Sequence, residues 1–299
     1  LKNKFRYWWH IVRDSGKLWV ECNAFNHSGS LAFYTLFSLA PTVIIAVAIM
    51  GLVLGEDAAQ GRIVEQFQDI MGTEAAIVVE NAVADSRIES SGIFPALAGV
   101  VALMVGATTV FAQMQYSLNY LWSVRPKPSR NSIFLFIRKR FFSLMVVVSI
   151  GFVLLVSLIL GVALRATLEF GSGIVPAQEM LLNASELVLS FVVVTLLFAT
   201  IFKVLPDVVL KWRQVLLGGV VTALLFSLGR YGISAYLAYT APASAFGAAG
   251  AVVLILMWVY YSSLILMFGA AFTRVHLEAQ GKEIIPRNTA VRVERKLMV

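Results

Sequence analysis

Six long apolar stretches restrict this chain more than any other feature. About 20 mostly apolar residues carry a helix across about 30 Å of hydrocarbon. Leu31 to Leu54, Ile93 to Met114, Phe141 to Leu164, Leu187 to Leu205, Val215 to Tyr239 and Phe246 to Phe272 each meet that requirement. The chain is expected to be all-α, a polytopic membrane protein of six transmembrane helices. Residues 1–30 are expected to form an N-terminal interfacial segment, 31–276 the membrane domain and 277–299 a basic tail.

The loop charges give the expected orientation. Lys2, Lys4, Arg6, Arg13 and Lys17 precede the first span, and Arg125, Lys127, Arg130, Arg138, Lys139 and Arg140 lie between the second and third. Lys203, Lys211 and Arg213, then Arg274, Lys282, Arg287, Arg292, Arg295 and Lys296, fall on the same side, which leaves only Arg62, Arg87 and Arg165 opposite. The bias of Lys and Arg toward the cytoplasm puts both termini there, in a bacterial inner membrane. The outer loop from Gly55 to Gly92 is acidic instead, with Glu56, Asp57, Glu65, Asp69, Glu74, Glu80, Asp85 and Glu89.

Composition excludes a large soluble catalytic domain: 59% of residues are hydrophobic, 14% are charged and the mean hydropathy is +0.81. A net charge of +7 suits nucleic acid in principle. The basic residues gather at span ends, where anionic lipid head groups lie, so membrane lipids are the expected partners and nucleic acid is not. Arg138, Lys139 and Arg140 are the expected lipid contacts on that side. Cys22, the lone cysteine, has no disulfide partner in the chain and reads as a buried or idle thiol. Basic residues and tryptophans before the first span argue against a cleavable signal, and a chain beginning at Leu1 is expected to lack its natural start.

Outside the spans, Phe5, Trp8, Trp9 and Val12 recur at helical spacing, as in a helix lying in the inner interface, where a simple anchor is the preferred role. In the outer loop Ile63, Phe67, Ile70 and Met71 form one stripe, Gly72 can end it, and Ala76, Val79, Glu80 and Val83 form a second. A helical hairpin over the outer mouth is expected. Arg165 to Glu186, with Gly171, Gly173 and Pro176, reads as irregular.

Candidates for mechanism are the polar and backbone-breaking residues inside the spans. Pro41 removes a helix hydrogen bond in the first span, with Thr35, Ser38 and Thr42 close by. Their hydroxyls can line a cavity or repair the kink, and both readings stand. In the second span Thr109, Gln113, Tyr116 and Tyr120 form one polar seam, and Thr108, Gln115 and Asn119 a neighbouring one. Arg230 lies about 13 Å below the outer end of the fifth span. An arginine there costs roughly 2.5 to 3.5 kcal/mol, and Ser227 and Ser234 share its face while Gly229 and Gly232 admit a neighbouring helix. Glu169, Glu186, an anionic substrate or a lipid phosphate are all eligible to answer its charge. Trp258 and Tyr261 in the last span can pack or hydrogen bond within the bundle.

The last span runs Phe246-Gly247-Ala248-Ala249-Gly250-Ala251, then Leu256-Met257-Trp258-Val259-Tyr260-Tyr261-Ser262, then Phe268-Gly269-Ala270-Ala271-Phe272. Further blocks are Ala32-Phe33-Tyr34-Thr35-Leu36-Phe37-Ser38-Leu39-Ala40-Pro41, the segment from Phe111-Ala112-Gln113-Met114-Gln115 to Leu118-Asn119-Tyr120-Leu121-Trp122, and Leu205-Pro206-Asp207 with Trp212-Arg213. With these blocks in this order, the chain resembles the YihY/BrkB family of bacterial inner-membrane proteins along nearly all its length. The resemblance implies a six-span protein without a settled activity, in a family linked to virulence or serum resistance and partly once labelled ribonuclease BN. Tyr116, Gln214 and Ala271 stand where the family pattern leads one to expect acids.

A nuclease would need metal-binding carboxylates and histidines, or an acid and base pair. His10, His27 and His276 are scattered without zinc-ligand spacing, and Asp207 is the sole acid in the inner loops between spans. The chain is therefore expected not to be an enzyme and to need no metal or other cofactor. Two functional classes remain: a transporter or lipid translocator handling an anionic or amphiphilic substrate, or a non-transporting envelope scaffold that binds partners or itself as a homo-oligomer. The expected cavity residues are Thr35, Ser38, Pro41, Thr42, Thr109, Gln113, Ser227, Arg230, Ser234, Trp258 and Tyr261.

Overall fold

The computed structural model describes residues 2–54, 61, 93–127, 178–240 and 242–294. The third apolar stretch, 141–164, lies outside the described residues, as do Arg138, Lys139 and Arg140 and, Gly61 excepted, the expected hairpin of 55–92. The described chain is almost wholly helical: α1 (Lys2–Glu21), α2 (Ala24–Leu54), α3 (Ile93–Leu121), α4 (Gln178–Val204), α5 (Trp212–Thr240) and α6 (Pro242–Ala279). Two short strands complete it, β1 (Val124–Pro126) and β2 (Ala290–Arg292).

Among the described residues three helices are long and apolar enough to cross a membrane, over Leu187–Val204, Trp212–Gly232 and Val252–Ala279. The 31 residues of α2 and 29 of α3 are about 46 and 44 Å of helix, so length suits both to the same task. α4 packs on α5, α5 on α6, and α2 on both α3 and α6, while α1 lies along α6.

Local chemistry fixes the helix ends. Asn23 adopts a left-handed backbone, φ 50°, between α1 and α2. Its carbonyl accepts from Asn26 and His27 N–H, so one residue ends a helix and starts the next. Ser123, φ 54°, turns the chain out of α3 into β1. α6 opens on a proline, whose missing N–H has no intrahelical partner at a first position anyway. It closes on Gly281, φ 69°, with Lys282 N–H bonded to the Leu277 carbonyl and Gly281 N–H to that of Glu278. That pair of bonds is a Schellman end, which favours glycine at the left-handed position.

The best-packed core sits at the end of the bundle that holds β1 and β2. Leu118 and Leu121 of α3 with Trp122 just after it, Phe198, Ala199 and Phe202 of α4, Val215 of α5 and Met267, Ala270 and Ala271 of α6 pack there, with Cys22 beside them. Cys22 is indeed a buried thiol. From the end of α6 to residue 294 the chain is built into the fold. β2 pairs antiparallel with β1, Val124 opposite Arg292 and Pro126 opposite Ala290, and Val208 bridges to Pro286. Together they form a clasp across the ends of α3 and α4.

Candidate functional site

At the clasp, the loop between α4 and α5 is pinned by one side chain of α3. Asn119 Nδ2 donates to Asp207 Oδ2 at 2.8 Å, and its Oδ1 accepts the Asp207 backbone N–H at 2.7 Å. Gln115 Nε2, one turn earlier, donates to Asp207 Oδ1 at 3.4 Å, and Arg287 N–H donates to the Asp207 carbonyl at 2.9 Å. The Arg287 guanidinium continues to the Lys203 and Val204 carbonyls, 3.0 and 3.2 Å away, satisfying the open end of α4. Arg274 of α6 does the same for α3, donating to the Leu121 carbonyl and to Ser123 Oγ at 3.1 Å. Gln214 Oε1 accepts the Lys211 N–H at 2.6 Å, the reach-back half of a capping box at the start of α5. Ala271, at another position where the resemblance leads one to expect an acid, is fully buried in the core.

The neighbouring seam of α3 meets α2. His27 Nδ1 lies 3.1 Å from Ser117 Oγ, and the imidazole packs against the rings of Tyr116 and Tyr120, with centroids 5.8 and 4.7 Å away. Thr109 Oγ1 donates to the Val105 carbonyl at 2.6 Å, and Gln113 is half-buried.

In α2 the three hydroxyls around the proline act within their own helix. Thr35 donates to the Leu31 carbonyl at 2.7 Å, Ser38 to that of Tyr34 at 2.8 Å and Thr42 to that of Ser38 at 2.6 Å. The Pro41 ring seats on Gly106 of α3, where an added Cβ would lie 2.8 Å from Pro41 Cγ. All three bonds stay within α2, and none of them goes to the Phe37 carbonyl, four residues before Pro41, that the proline leaves without an N–H.

The α5–α6 crossing is built from two matching Gly-x-x-x-Thr turns. A Cβ on Gly218 would run into Thr273, and one on Gly269 would run into Thr222. Each threonine hydroxyl bonds back within its helix, Thr222 to Gly218 O at 2.6 Å and Thr273 to Gly269 O at 2.7 Å. Farther along, Gly229 faces the Tyr261 ring, and Tyr261 Oη is 3.4 Å from the Leu225 carbonyl. Trp258 is buried edge-on to Phe226, with centroids 5.6 Å apart. Arg230, next to Gly229, is half-buried with Cζ 5.6 Å from the Tyr231 ring centroid, and has no hydrogen-bond or ion-pair partner among the described residues. Ser227 is half-buried on the same helix, and the side chain of Ser234 lies outside the described residues. The structure thus brings Tyr261 and Trp258 to the stretch of α5 that carries Ser227 and Arg230, and shows the α2 hydroxyls bonded to carbonyls of their own helix.

The Asn119–Asp207 pair was not among the expected site residues, although both positions drew notice in the sequence. The available signal was a lone acid in an otherwise basic set of loops, opposite a seam of carboxamides. Among the described residues no three His, Cys, Asp or Glu side chains converge as metal ligands would.

The family model for virulence factor BrkB matches residues 19–292. The chain belongs to the BrkB family. It is similar to UPF0761 membrane proteins: 26% identical over 251 residues to one from Vibrio cholerae serotype O1, covering 83% of this chain and 80% of that one. A Pseudomonas aeruginosa relative is 26% identical over 264 residues, 84% of this chain and 59% of the relative. One from Halorhodospira halophila is 25% identical over 254 residues, 83% of this chain. The chain spans about half the length of the Halorhodospira protein, 52%. No solved structure matches. This BrkB-family member is a membrane protein, and the match takes in α2 to α6, the clasp and the end of α1.

Proposed function

We propose that this BrkB-family protein is a six-span inner-membrane translocator, both termini cytoplasmic, that moves an anionic or amphiphilic substrate such as a lipid. The observation that carries this reading is Arg230, a guanidinium within an apolar helix and without a counter-charge among the described residues. An intramembrane cation normally answers an acid, a carbonyl or a ligand, and is functional by default. A phosphate or carboxylate passing beside α5 supplies the missing acceptor, with Ser227 as a neutral donor one turn away and Tyr261 across the α5–α6 contact.

The alternative is a non-transporting scaffold that uses small-residue helix faces for self-association and the outer hairpin for partners. Gly218 and Gly269 are filled by threonines of the same chain, whereas a Cβ on Gly232 would meet nothing within 4 Å. Reconstitution into vesicles carrying fluorescent phosphatidylglycerol tests the proposal. Faster lipid exchange between leaflets with the protein, lost in Arg230→Ala, is the expected outcome, and equal rates in protein-containing and empty vesicles would overturn it.

A further inference from the structure

α1 presents three arcs at about 100° per residue. Ile11 and Ser15 turn inward, 2% and 0% exposed, as does Cys22 just past the helix end, 4% exposed, with Leu18 packed on the core beside them. Next come Phe5, Trp9, Val12 and Val20, apolar yet 75%, 60%, 46% and 58% exposed. Gly16 completes that arc, and a Cβ there would meet nothing within 4 Å. The third arc is polar: Arg6, His10, Arg13, Asp14, Lys17 and Glu21, with Arg13 and Asp14 paired at 3.0 Å. With Lys2 and Lys4, bases outnumber acids along the helix.

The helix is held beside a membrane-crossing element. Trp8 stacks on Phe272 and His276 of α6, and Trp19 Nε1 donates to the Leu264 carbonyl at 3.1 Å. That part of α6 belongs to the apolar stretch Val252–Ala279. The 38 residues of α6 are about 57 Å of helix against about 30 Å of hydrocarbon, so α6 outruns the hydrocarbon, and the Trp8 end of α1 lies against its last turns at Phe272 and His276. An aromatic arc flanked by arginine and lysine at that depth has the chemistry of the interfacial belt.

We propose that the free arc of α1 is a docking surface for the anionic leaflet, with Phe5, Trp9, Val12 and Val20 among the head groups and upper acyl chains, and Arg6, Arg13 and Lys17 on lipid phosphates. The partner is a lipid surface, and the surface is separate from the α5 site. It stands whether or not lipid is translocated.

The test uses the full chain in a Cys22→Ala background, spin-labelled at Val12→Cys or Arg13→Cys and reconstituted in phosphatidylcholine with or without phosphatidylglycerol. Both positions are exposed, so labelling leaves the α1–α6 contact intact. The Val12 label is expected to be reached by dissolved oxygen and shielded from a water-soluble nickel chelate, the Arg13 label the reverse. Phosphatidylglycerol should deepen the Val12 label, and Arg6→Gln with Lys17→Gln should remove that response. Equal access of the chelate to both labels overturns the proposal, because the arc then faces water. Dipolar broadening between Val12 labels overturns it as well, since the arc then faces a second copy. Should the double variant fail to reconstitute, Trp9→Ser, at a position 60% exposed, is expected to reduce the depth of the Val12 label.

Discussion

Asn119 holds Asp207 by both ends of its amide, one to the carboxylate and one to the main chain. A single α3 residue therefore sets both the position of the α4–α5 loop and the environment of a buried acid.

Asn119→Ala leaves a backbone N–H and a carboxylate oxygen without partners, at about 1–3 kcal/mol for each buried group. A clear fall in thermal stability is expected by differential scanning fluorimetry in detergent. Asn119→Asp is expected to fall further at neutral pH, because two carboxylates then share the site.

The α5–α6 crossing predicts a compensating pair. Gly218→Ala forces a methyl into Thr273, an overpacking cost of about 1–3 kcal/mol. Thr273→Ala should recover most of it when combined with Gly218→Ala, whereas Thr222→Ala should not. A double-mutant cycle on unfolding midpoints measures the coupling, and additive losses in the first pair would contradict the contact.

Replacing Arg230 should separate activity from stability. Arg230→Met removes an intramembrane cation that has no ion-pair partner among the described residues. The unfolding midpoint is expected to hold or rise, while lipid exchange in vesicles is lost. A strong destabilisation would instead mean that the guanidinium holds the bundle together.

Arg287 links the clasp to α4 through two carbonyls. Hydrogen bonds to a charged group are worth about 1.5–3 kcal/mol. Arg287→Ala is expected to open the clasp, read as faster trypsin cleavage at Lys282 and Arg292 in detergent.

The apolar stretches Leu187 to Leu205, Val215 to Tyr239 and Phe246 to Phe272 anticipated α4, α5 and α6 because hydrocarbon thickness sets a minimum length that composition displays directly. The helices overrun those limits where polar residues continue the turn. α6 reaches Ala279 because Arg274, His276 and Glu278 are helical without being apolar, and Gly281 sets the stop. Burial of Cys22 was legible from the usual habit of a lone thiol. The Asn119–Asp207 clamp was not, since its halves are 88 residues apart and no local pattern couples them. Nor does the sequence tell whether Thr35, Ser38 and Thr42 turn to a cavity or to their own helix. That choice rests on side-chain rotamers, and all three donate to the carbonyl four residues back.

The pairing of β1 with β2 also imposes an order of events during synthesis. Val124 leaves the ribosome long before Arg292, and α4, α5 and α6 are made in between. Until then β1 has an open edge, Asp207 lacks the Arg287 N–H, and the Lys203 and Val204 carbonyls lack the Arg287 guanidinium. Contacts between distant parts of a chain form late because loop closure precedes their reward. The strand after α6 is thus the last described element to be made, and its pairing completes the contacts at the ends of α3 and α4.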